Sequence, residues 1–297
     1  MNFHLEGIFP ALLTPFTKGG VRVDYSKACK LAGRLAHQGV HGLFVCGTTG
    51  EGPLLTVDER KKLLEEVVRA VGKRIKIIAH TGCFDTATTI ELTRHAQKTG
   101  AVAAGVIAPG FFTLDDISLA AHFKSVANAV KDYPIFLYNL PSCAKNALSP
   151  ELVAGLAKSV KNIAGMKDSG GSLQVTARFI SETPRGFNVI NGCDEFSFQA
   201  YLTGANGSVS STANVTPELF LGIFNAVKAG KIDEARKIQV QLSKACGLFQ
   251  YGRMVAYYKE GLRLRGGDAG SVRSPQRELS ADEKKAFAKA LHGAGLI

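Results

Sequence analysis

The sequence predicts an α/β protein: a (β/α)8 TIM barrel with a small C-terminal helical extension. Short apolar runs alternate with longer amphipathic runs up to residue 228, as in repeated βα units that build a parallel sheet. Eight such units over about 225 residues fit a closed barrel better than an open sheet. The first strand also runs into Thr14-Pro15-Phe16-Thr17 and lacks the Gly-rich turn of a dinucleotide-binding sheet.

The eight predicted strands lie at residues 7–13, 42–46, 76–80, 103–108, 135–138, 163–167, 187–190 and 207–210. Helices are predicted in the gaps: Asp24 and Ser149 are suitable N-caps, and Val57-Asp58-Glu59 supplies an acidic first turn. After residue 228 the pattern is only helical, with amphipathic stretches at 232–249 and 281–291 and a loop at 265–275. We therefore expect a catalytic barrel at 1–228 and a helical extension at 229–297.

Composition indicates a compact protein, with 45% hydrophobic residues in a chain of 297. The net charge of +11 is dispersed among acidic residues on predicted helix faces, which favours ordinary surface charge over nucleic-acid binding. Residues 1–10 do not resemble a signal peptide and no long apolar run occurs, so we expect a cytoplasmic protein without membrane contact. The six cysteines are widely separated, which predicts free thiols, and the seven histidines lack metal-ligand spacing, so no metal site is expected.

The second predicted strand ends in a glycine-rich turn, Cys46-Gly47-Thr48-Thr49-Gly50-Glu51-Gly52. Glycines allow backbone N–H groups to point at an anion, and the hydroxyls of Thr48 and Thr49 add donors, so a carboxylate or phosphate could be held there. The alternative is a tight turn that only caps the next helix.

The sixth predicted strand places Lys167 in an otherwise apolar run, Ile163-Ala164-Gly165-Met166-Lys167-Asp168. Burial disfavours the charged form of an amine, and a neutral amine is a nucleophile that forms an imine with a carbonyl. Alternatively, the lysine reaches from the strand end to solvent. Strand alternation turns Asp168 to the opposite face.

The fifth predicted strand ends in Leu137-Tyr138-Asn139-Leu140-Pro141-Ser142. Tyr138 could shuttle protons to a developing alkoxide, or it could be a core tyrosine with a satisfied hydroxyl. In a βα barrel the active site lies at the C-terminal ends of the strands, and Thr48, Tyr138 and Lys167 all fall at such ends. This convergence favours the catalytic interpretation of all three.

The segments Gly47-Thr48-Thr49-Gly50-Glu51, Tyr138-Asn139-Leu140-Pro141 and Gly165-Met166-Lys167-Asp168 resemble the dihydrodipicolinate synthase and N-acetylneuraminate lyase family, over almost the whole chain. The resemblance implies a homotetrameric class I aldolase that needs no cofactor and holds pyruvate or another 2-oxo acid as a Schiff base. It implies that Lys167 is the nucleophile and Tyr138 the acid/base. It further implies that Thr48 and Thr49 bind the keto-acid carboxylate, with Gly192 and the carbonyl of Val209 near the imine.

Five residues, in three segments of the chain, bear on the aldehyde partner. Synthases of the family carry an arginine for the second substrate's carboxylate where this chain has Cys143, and a relay tyrosine in the loop that here contains Phe111 and Phe112. Asp194 and Glu195 are similar to the Asp-Glu pair with which sialic-acid lyases meet sugar hydroxyls, although both could simply cap a helix.

These positions make cleavage of a 2-keto-3-deoxy sugar acid to pyruvate and an aldehyde the first expectation. The alternatives within the family are 4-hydroxy-tetrahydrodipicolinate synthase and N-acetylneuraminate lyase. From other classes, a phosphate-binding barrel isomerase, suggested by the hydroxyl-rich run at 208–214, and a non-catalytic binding protein remain open.

Overall fold

The computed structural model describes residues 3–297, so Met1 and Asn2 of the predicted barrel lie outside the described residues. The strands are β1 (Gly7–Pro10), β2 (Gly42–Val45), β3 (Lys76–His80), β4 (Ala103–Ile107), β5 (Ile135–Asn139), β6 (Ile163–Asp168), β7 (Asn188–Asn191) and β8 (Gly207–Ser210). Every neighbouring pair is parallel, in the order β1-β8-β7-β6-β5-β4-β3-β2. A bridge between Ala11 and Phe44 and a bond from Leu12 N to Phe44 O (2.9 Å) join β1 to β2. The predicted TIM barrel is confirmed.

Helices follow the strands around the barrel. They are α1 (Tyr25–His37), α2 (Val57–Val71), α3 (Thr86–Thr99), α4 (Asp116–Asn128), α5 (Pro141–Ala144), α6 (Pro150–Ser159), α7 (Leu173–Glu182), α8 (Ser197–Thr203), α9 (Pro217–Lys228), α10 (Ile232–Leu248), α11 (Val255–Leu264) and α12 (Ala281–Gly293). Asp24 and Ser149 cap α1 and α6 as predicted. The N-cap of α2 is Thr56, which forms a capping box with Glu59, so the acidic residues at 58 and 59 occupy the first turn.

The core has two layers, because successive strand residues face opposite sides of the sheet. Alternate side chains fill the barrel interior, among them Phe9, Phe44, Phe136, Tyr138 and Val209. The intervening side chains pack outward against the helices in a larger apolar layer. Each fully buried large apolar side chain contributes roughly 1.5–3 kcal/mol. This packing fixes the strand ends that carry the candidate site.

Several predicted strand boundaries need correction: β2 ends one residue early, at Val45, β5 and β6 each end one residue late, and β7 lies one residue further along the chain. Strand β1 ends at Pro10 rather than residue 13, because the chain then changes hydrogen-bonding partner, with Ala11 N bound to Ser210 O and Leu12 N to Phe44 O. Helix α11 was not predicted as a separate element. Strand β4 ends one residue early, at Ile107.

Helices occupy the predicted stretches 232–249 and 281–291, and α10 packs along α9. A short break at Ala229–Lys231 separates α9 from α10, and the division of the chain after residue 228 stays a prediction. No helix within residues 3–297 has the length and apolar character needed to cross a membrane.

Candidate active site

Lys167 lies near the C-terminal end of β6, with its side chain inside the barrel and only 7% of the residue exposed. Its Nζ is 4.1 Å from the centre of the Tyr138 ring and 4.7 Å from that of Phe44. Within residues 3–297, Lys167 makes no ion pair with a carboxylate. The amine therefore faces aromatic rings in a largely buried pocket, an environment suited to attack on a carbonyl.

Asp168, the next residue, points to the other side of the sheet and is fully engaged there. Its Oδ1 accepts hydrogen bonds from Asn139 Nδ2 (2.8 Å) and Gly170 N (3.0 Å), and its Oδ2 accepts one from Thr176 Oγ1 (2.6 Å). These donors compensate the burial of the carboxylate. They also tie the end of β6 to β5 and α7, which fixes the strand end that carries Lys167.

Tyr138 enters the same space from β5, paired in register with Lys167. Its hydroxyl lies 3.4 Å from Thr48 Oγ1, and its ring meets Phe44 edge to face at 5.9 Å. The tyrosine is 2% exposed, so its orientation is set by packing. The phenol of Tyr138 and the amine of Lys167 thus share one end of the barrel, where proton transfer to a substrate oxygen is geometrically accessible.

The turn at 46–52 approaches this pair from β2 and has an unusual backbone. Cys46 (φ 63°) and Glu51 (φ 54°) are both in the left-handed region, which costs non-glycine residues free energy. Gly52 permits the close return of the chain, since a Cβ there would lie 2.0 Å from the carbonyl oxygen of Cys46. The turn is further held by a bond from Thr14 Oγ1 to Gly50 O (2.6 Å).

Thr49 is anchored across the barrel mouth, where its Oγ1 lies 2.5 Å from Ser211 Oγ, just beyond β8. In the part of the chain that the structure describes, the backbone N–H groups of Thr48 and Thr49 have no protein acceptor. Two unpaired N–H groups and a threonine hydroxyl on one tight turn form a ready anion site.

Gly192 borders the lysine pocket, and Val209 packs in the barrel interior that contains it. A Cβ on Gly192 would lie 2.0 Å from Ser169 Oγ and 3.1 Å from Lys167 Cε, so a glycine is needed for the lysine chain to pass. Val209, on β8, buries its side chain in the interior cluster that includes Phe44 and Tyr138. Five predicted residues, Thr48, Tyr138, Lys167, Gly192 and Val209, are therefore brought together at one end of the barrel.

Asp194 lies in a short 3-10 turn after β7, and its carboxylate is buried although part of the residue is exposed. Its Oδ2 accepts a hydrogen bond from Ser210 Oγ (2.8 Å), whereas Oδ1 has no partner among residues 3–297. Burial raises the pKa of Asp194 to about 6, and the nearby hydroxyls of Thr212 and Ser210 only partly oppose this shift.

Replacing Asp194 with asparagine is expected to stabilise the protein at neutral pH and not at acidic pH. Since the pKa of Asp194 is higher in the folded state, the folded wild type loses stability as the pH rises from about 4 to about 6. The variant lacks this loss. Relative to the wild type, its free energy of unfolding should be higher by about 1–3 kcal/mol at pH 7 and little changed at pH 4. Urea unfolding at several pH values measures the gain, with Asp233→Asn on exposed α10 as control. A gain that is the same at pH 4 and pH 7 would contradict the assignment.

Glu195 lies on the outside of the barrel. Its side chain is exposed and lines a groove between α8 and α10 with Arg236, Gln239 and Lys244. Gln239 Nε2 donates to the backbone carbonyls of both Asp194 (3.1 Å) and Glu195 (3.0 Å), which fixes the turn against α10. The structure does not bring Glu195 into contact with the lysine pocket, and the predicted contacts of Asp194 and Glu195 with sugar hydroxyls remain predictions.

His80, at the end of β3, packs edge to face against Tyr138, with ring centres 5.8 Å apart. Arg60 NH2 lies 3.3 Å from His80 Nδ1 and donates to the His80 carbonyl (2.8 Å). Burial, together with the Arg60 guanidinium, holds the pKa of His80 well below its usual range. The imidazole is therefore neutral and supports the Tyr138 ring.

Cys143 and the two phenylalanines lie exposed on the same rim. Cys143 is on the one-turn helix α5 that follows Tyr138. Phe111 and Phe112 are 73% and 69% exposed and contact each other edge to face at 5.0 Å. The positions that carry an arginine and a relay tyrosine in the synthases thus offer a thiol and an apolar surface here.

Sequence reasoning did not single out Ser211, Glu51 or Lys259. Ser211 directly follows the β8 strand, so its place at a strand end was a usable signal. Lys259 lies 208 residues from Glu51, its partner in an ion pair, and nothing local indicated that contact.

Comparison with known proteins agrees with this geometry. A model of the dihydrodipicolinate synthetase family matches residues 4–294. The chain is 35% identical to the 4-hydroxy-tetrahydrodipicolinate synthase of Methanopyrus kandleri over 100% of this chain and 99% of the relative. It is 34% identical to an uncharacterized DapA-like lyase of Halobacterium salinarum over 99% of this chain and 95% of the relative.

Among solved structures, the chain is similar to YagE of Escherichia coli K12, a prophage protein of the dihydrodipicolinic acid synthase family crystallised with pyruvate. The TM-score is 0.95 at 30% identity, over 99% of this chain and 100% of YagE. These matches cover almost the whole chain, and they argue against the two alternatives from other classes, a phosphate-binding isomerase and a non-catalytic binding protein. The chain belongs to the dihydrodipicolinate synthetase family of Schiff-base, pyruvate-dependent class I aldolases.

Proposed function

We propose that Lys167 forms a Schiff base with the C2 carbonyl of pyruvate or a pyruvate-yielding 2-oxo acid. The observation that carries this proposal is the buried Lys167 amine, 4.1 Å from the Tyr138 ring centre and without a carboxylate partner among residues 3–297. The amine attacks the carbonyl to give a carbinolamine, which loses water to become a protonated imine. The protonated imine then withdraws electrons from a bond to C3, which is the C3–C4 bond in cleavage and a C3–H bond in condensation.

In the cleavage direction, the bond between C3 and C4 breaks, and its electron pair moves into the imine to give an enamine. The proton of the C4 hydroxyl leaves with this step, and the aldehyde is released. Protonation at C3 and hydrolysis of the imine then return pyruvate and the free lysine. Condensation is the same sequence reversed. We assign the proton transfers to Tyr138, whose hydroxyl is 3.4 Å from Thr48 Oγ1.

The carboxylate of the keto acid is assigned to the turn at 46–52. The backbone N–H groups of Thr48 and Thr49, which have no acceptor among residues 3–297, support this assignment, as does the Thr49 hydroxyl beside Ser211. Gly192 and Val209 border the imine and leave room for it. Binding that is equal in ground state and transition state would set the Michaelis constant for pyruvate rather than the turnover number.

Two acceptors are supported by different observations. The names of relatives such as the Methanopyrus kandleri synthase favour the 4-hydroxy-tetrahydrodipicolinate synthase reaction, in which pyruvate condenses with aspartate semialdehyde. Cys143 in place of an arginine, and Phe111 and Phe112 in place of a relay tyrosine, favour an uncharged hydroxylated aldehyde and the cleavage of a 2-keto-3-deoxy sugar acid. N-acetylneuraminate is a further sugar acid of this second kind.

A substrate panel separates the two acceptors. Purified protein is given pyruvate with aspartate semialdehyde in one arm, and 2-keto-3-deoxy sugar acids or N-acetylneuraminate in the other, with pyruvate measured in each. Consumption of pyruvate in the first arm alone supports the synthase, and release of pyruvate in the second arm alone supports sugar-acid cleavage. Turnover in neither arm would reject both acceptors.

Cys143→Arg is expected to lower the Michaelis constant for aspartate semialdehyde by about tenfold or more, because a guanidinium binds a carboxylate through two charge-assisted hydrogen bonds. Cys143 is exposed, so the larger side chain is accommodated. Steady-state kinetics measures the effect, and Cys143→Ala, which adds no charge, should leave the constant unchanged. An unchanged constant in Cys143→Arg would mean that the carboxylate of the semialdehyde binds elsewhere.

We also propose, from the family resemblance, that the enzyme works in the cytoplasm as a homotetramer. The exposed apolar side chains of Phe111 and Phe112 on the barrel rim support an interface there.

A further inference from the structure

A buried ion pair joins the substrate turn to the C-terminal helices. Lys259 Nζ, on α11, lies 2.8 Å from Glu51 Oε1, and the two side chains are 4% and 0% exposed. Lys259 comes from the predicted extension, whereas Glu51 is part of the turn that carries Thr48 and Thr49. The pair therefore links two parts of the chain that are far apart in sequence.

Both members are held by further contacts. Lys259 Nζ donates to the carbonyls of Thr14 (2.8 Å) and Ser271 (2.5 Å), and it lies 4.8 Å from the centre of the Phe16 ring. Glu51 Oε2 accepts a hydrogen bond from the backbone N–H of Arg273 (2.9 Å). Burial lowers the pKa of Lys259, and the Glu51 carboxylate opposes this shift. These contacts hold only while four chain segments, at 14–16, 51, 259 and 271–273, keep this arrangement.

The pair acts on a backbone that would not adopt its conformation unaided. Glu51 has a φ of 54°, and a residue other than glycine persists in the left-handed region when its surroundings over-determine it. Thr14 extends the restraint, because its carbonyl binds Lys259 and its hydroxyl binds Gly50 O. The restraint thus reaches the residue next to Thr49.

We propose that Glu51 and Lys259 are positioning residues that hold the Thr48–Thr49 turn in its anion-binding conformation. The inference rests on the proposed function, in which that turn binds the keto-acid carboxylate. Removal of one partner leaves an unpaired buried charge, which the chain relieves by moving the turn toward solvent. The backbone N–H groups of Thr48 and Thr49, which have no acceptor among residues 3–297, then lose their wild-type arrangement, and keto-acid affinity falls.

The test uses the full-length protein and measures imine formation with pyruvate, by borohydride trapping and mass analysis over a range of pyruvate concentrations. Glu51→Gln and Lys259→Met should each raise the half-saturating pyruvate concentration about tenfold or more, while the trapped fraction at saturation stays near that of the wild type. The double variant has no unpaired charge, so its increase should be smaller than the product of the single increases, yet at least about threefold.

Two control variants separate positioning from general stability. Glu260→Gln makes the same change of charge on α11, at a residue paired with Arg263. Leu291→Ala removes buried apolar volume from α12 and lowers thermal stability. Both should keep the wild-type half-saturating concentration, although Leu291→Ala unfolds at a lower temperature.

The outcomes distinguish the two proposals. If the wild type itself is not trapped, the Schiff-base function fails. If the wild type is trapped and both the folded single variants and the double variant keep its half-saturating concentration, the positioning role fails. Should a single variant not fold, the double variant alone decides, because an unchanged half-saturating concentration in it also overturns the proposal. If Leu291→Ala raises the half-saturating pyruvate concentration as much as the single variants do, the effect belongs to general stability and the positioning proposal is overturned.

Discussion

Lys167→Arg is expected to abolish imine formation and to reduce aldol turnover to background. Arginine keeps a long side chain with a nitrogen-bearing end beside the Tyr138 and Phe44 rings, but the guanidinium stays protonated and does not form an imine. Because the size and the aromatic contacts of the side chain are kept, the loss reports nucleophilicity rather than folding. Borohydride trapping with pyruvate and steady-state turnover are the two measurements.

Lys161→Arg is the matched control, since this exposed lysine lies just before the same strand, β6. It should behave as the wild type in both assays. Appreciable turnover by Lys167→Arg, or a pyruvate adduct on its remaining lysines, would refute Lys167 as the nucleophile.

Tyr138→Phe is expected to lower the turnover number by roughly two to four orders of magnitude while pyruvate still binds. The variant retains the ring that packs on Phe44 and Lys167, and it loses only the hydroxyl beside Thr48. Kinetics and trapping at saturating pyruvate separate the two effects, because the imine should still accumulate.

Tyr133→Phe provides the control for loss of a buried hydroxyl. The Tyr133 hydroxyl is buried and has no hydrogen-bond partner within residues 3–297, and its removal should leave turnover unchanged. A turnover number for Tyr138→Phe within about threefold of the wild type would exclude Tyr138 from the proton transfers.

The barrel was predictable because its strands are short, apolar and separated by amphipathic helices. The predicted bounds of β3 and β8 coincide with the structure, and β6 extends only one residue further, to Asp168. Once the strands are drawn, the barrel geometry places the residues at their C-terminal ends around one mouth. The proximity of Lys167, Tyr138 and Thr48 therefore follows from local pattern and fold together.

The ion pair that supports the turn could not be predicted in this way. Lys259 is next to Glu260 in the sequence, a pattern typical of an exposed lysine. In the structure it is buried and forms an ion pair with Glu51. Helix periodicity gives the buried face of a helix but not its partner across the fold. The sequence also could not show that Glu195 lies away from the lysine pocket, because adjacent residues in a tight turn can point to different sides of the barrel wall.

The raised pKa of Asp194 is a third feature that the sequence alone could not predict. Its sequence position after β7 supports a role at the barrel mouth, but its protonation depends on the burial of its carboxylate, in which Oδ2 binds Ser210 and Oδ1 has no partner among residues 3–297. Such burial arises from tertiary packing, so the raised pKa of Asp194 becomes visible only in the structure.

The central claim, a Schiff base on Lys167, is tested most directly by borohydride reduction of the wild-type protein with pyruvate, followed by peptide mass analysis. A reduced pyruvate adduct confined to the peptide that contains Lys167 is the predicted result. An adduct on a different lysine, or none on any lysine, would contradict the account.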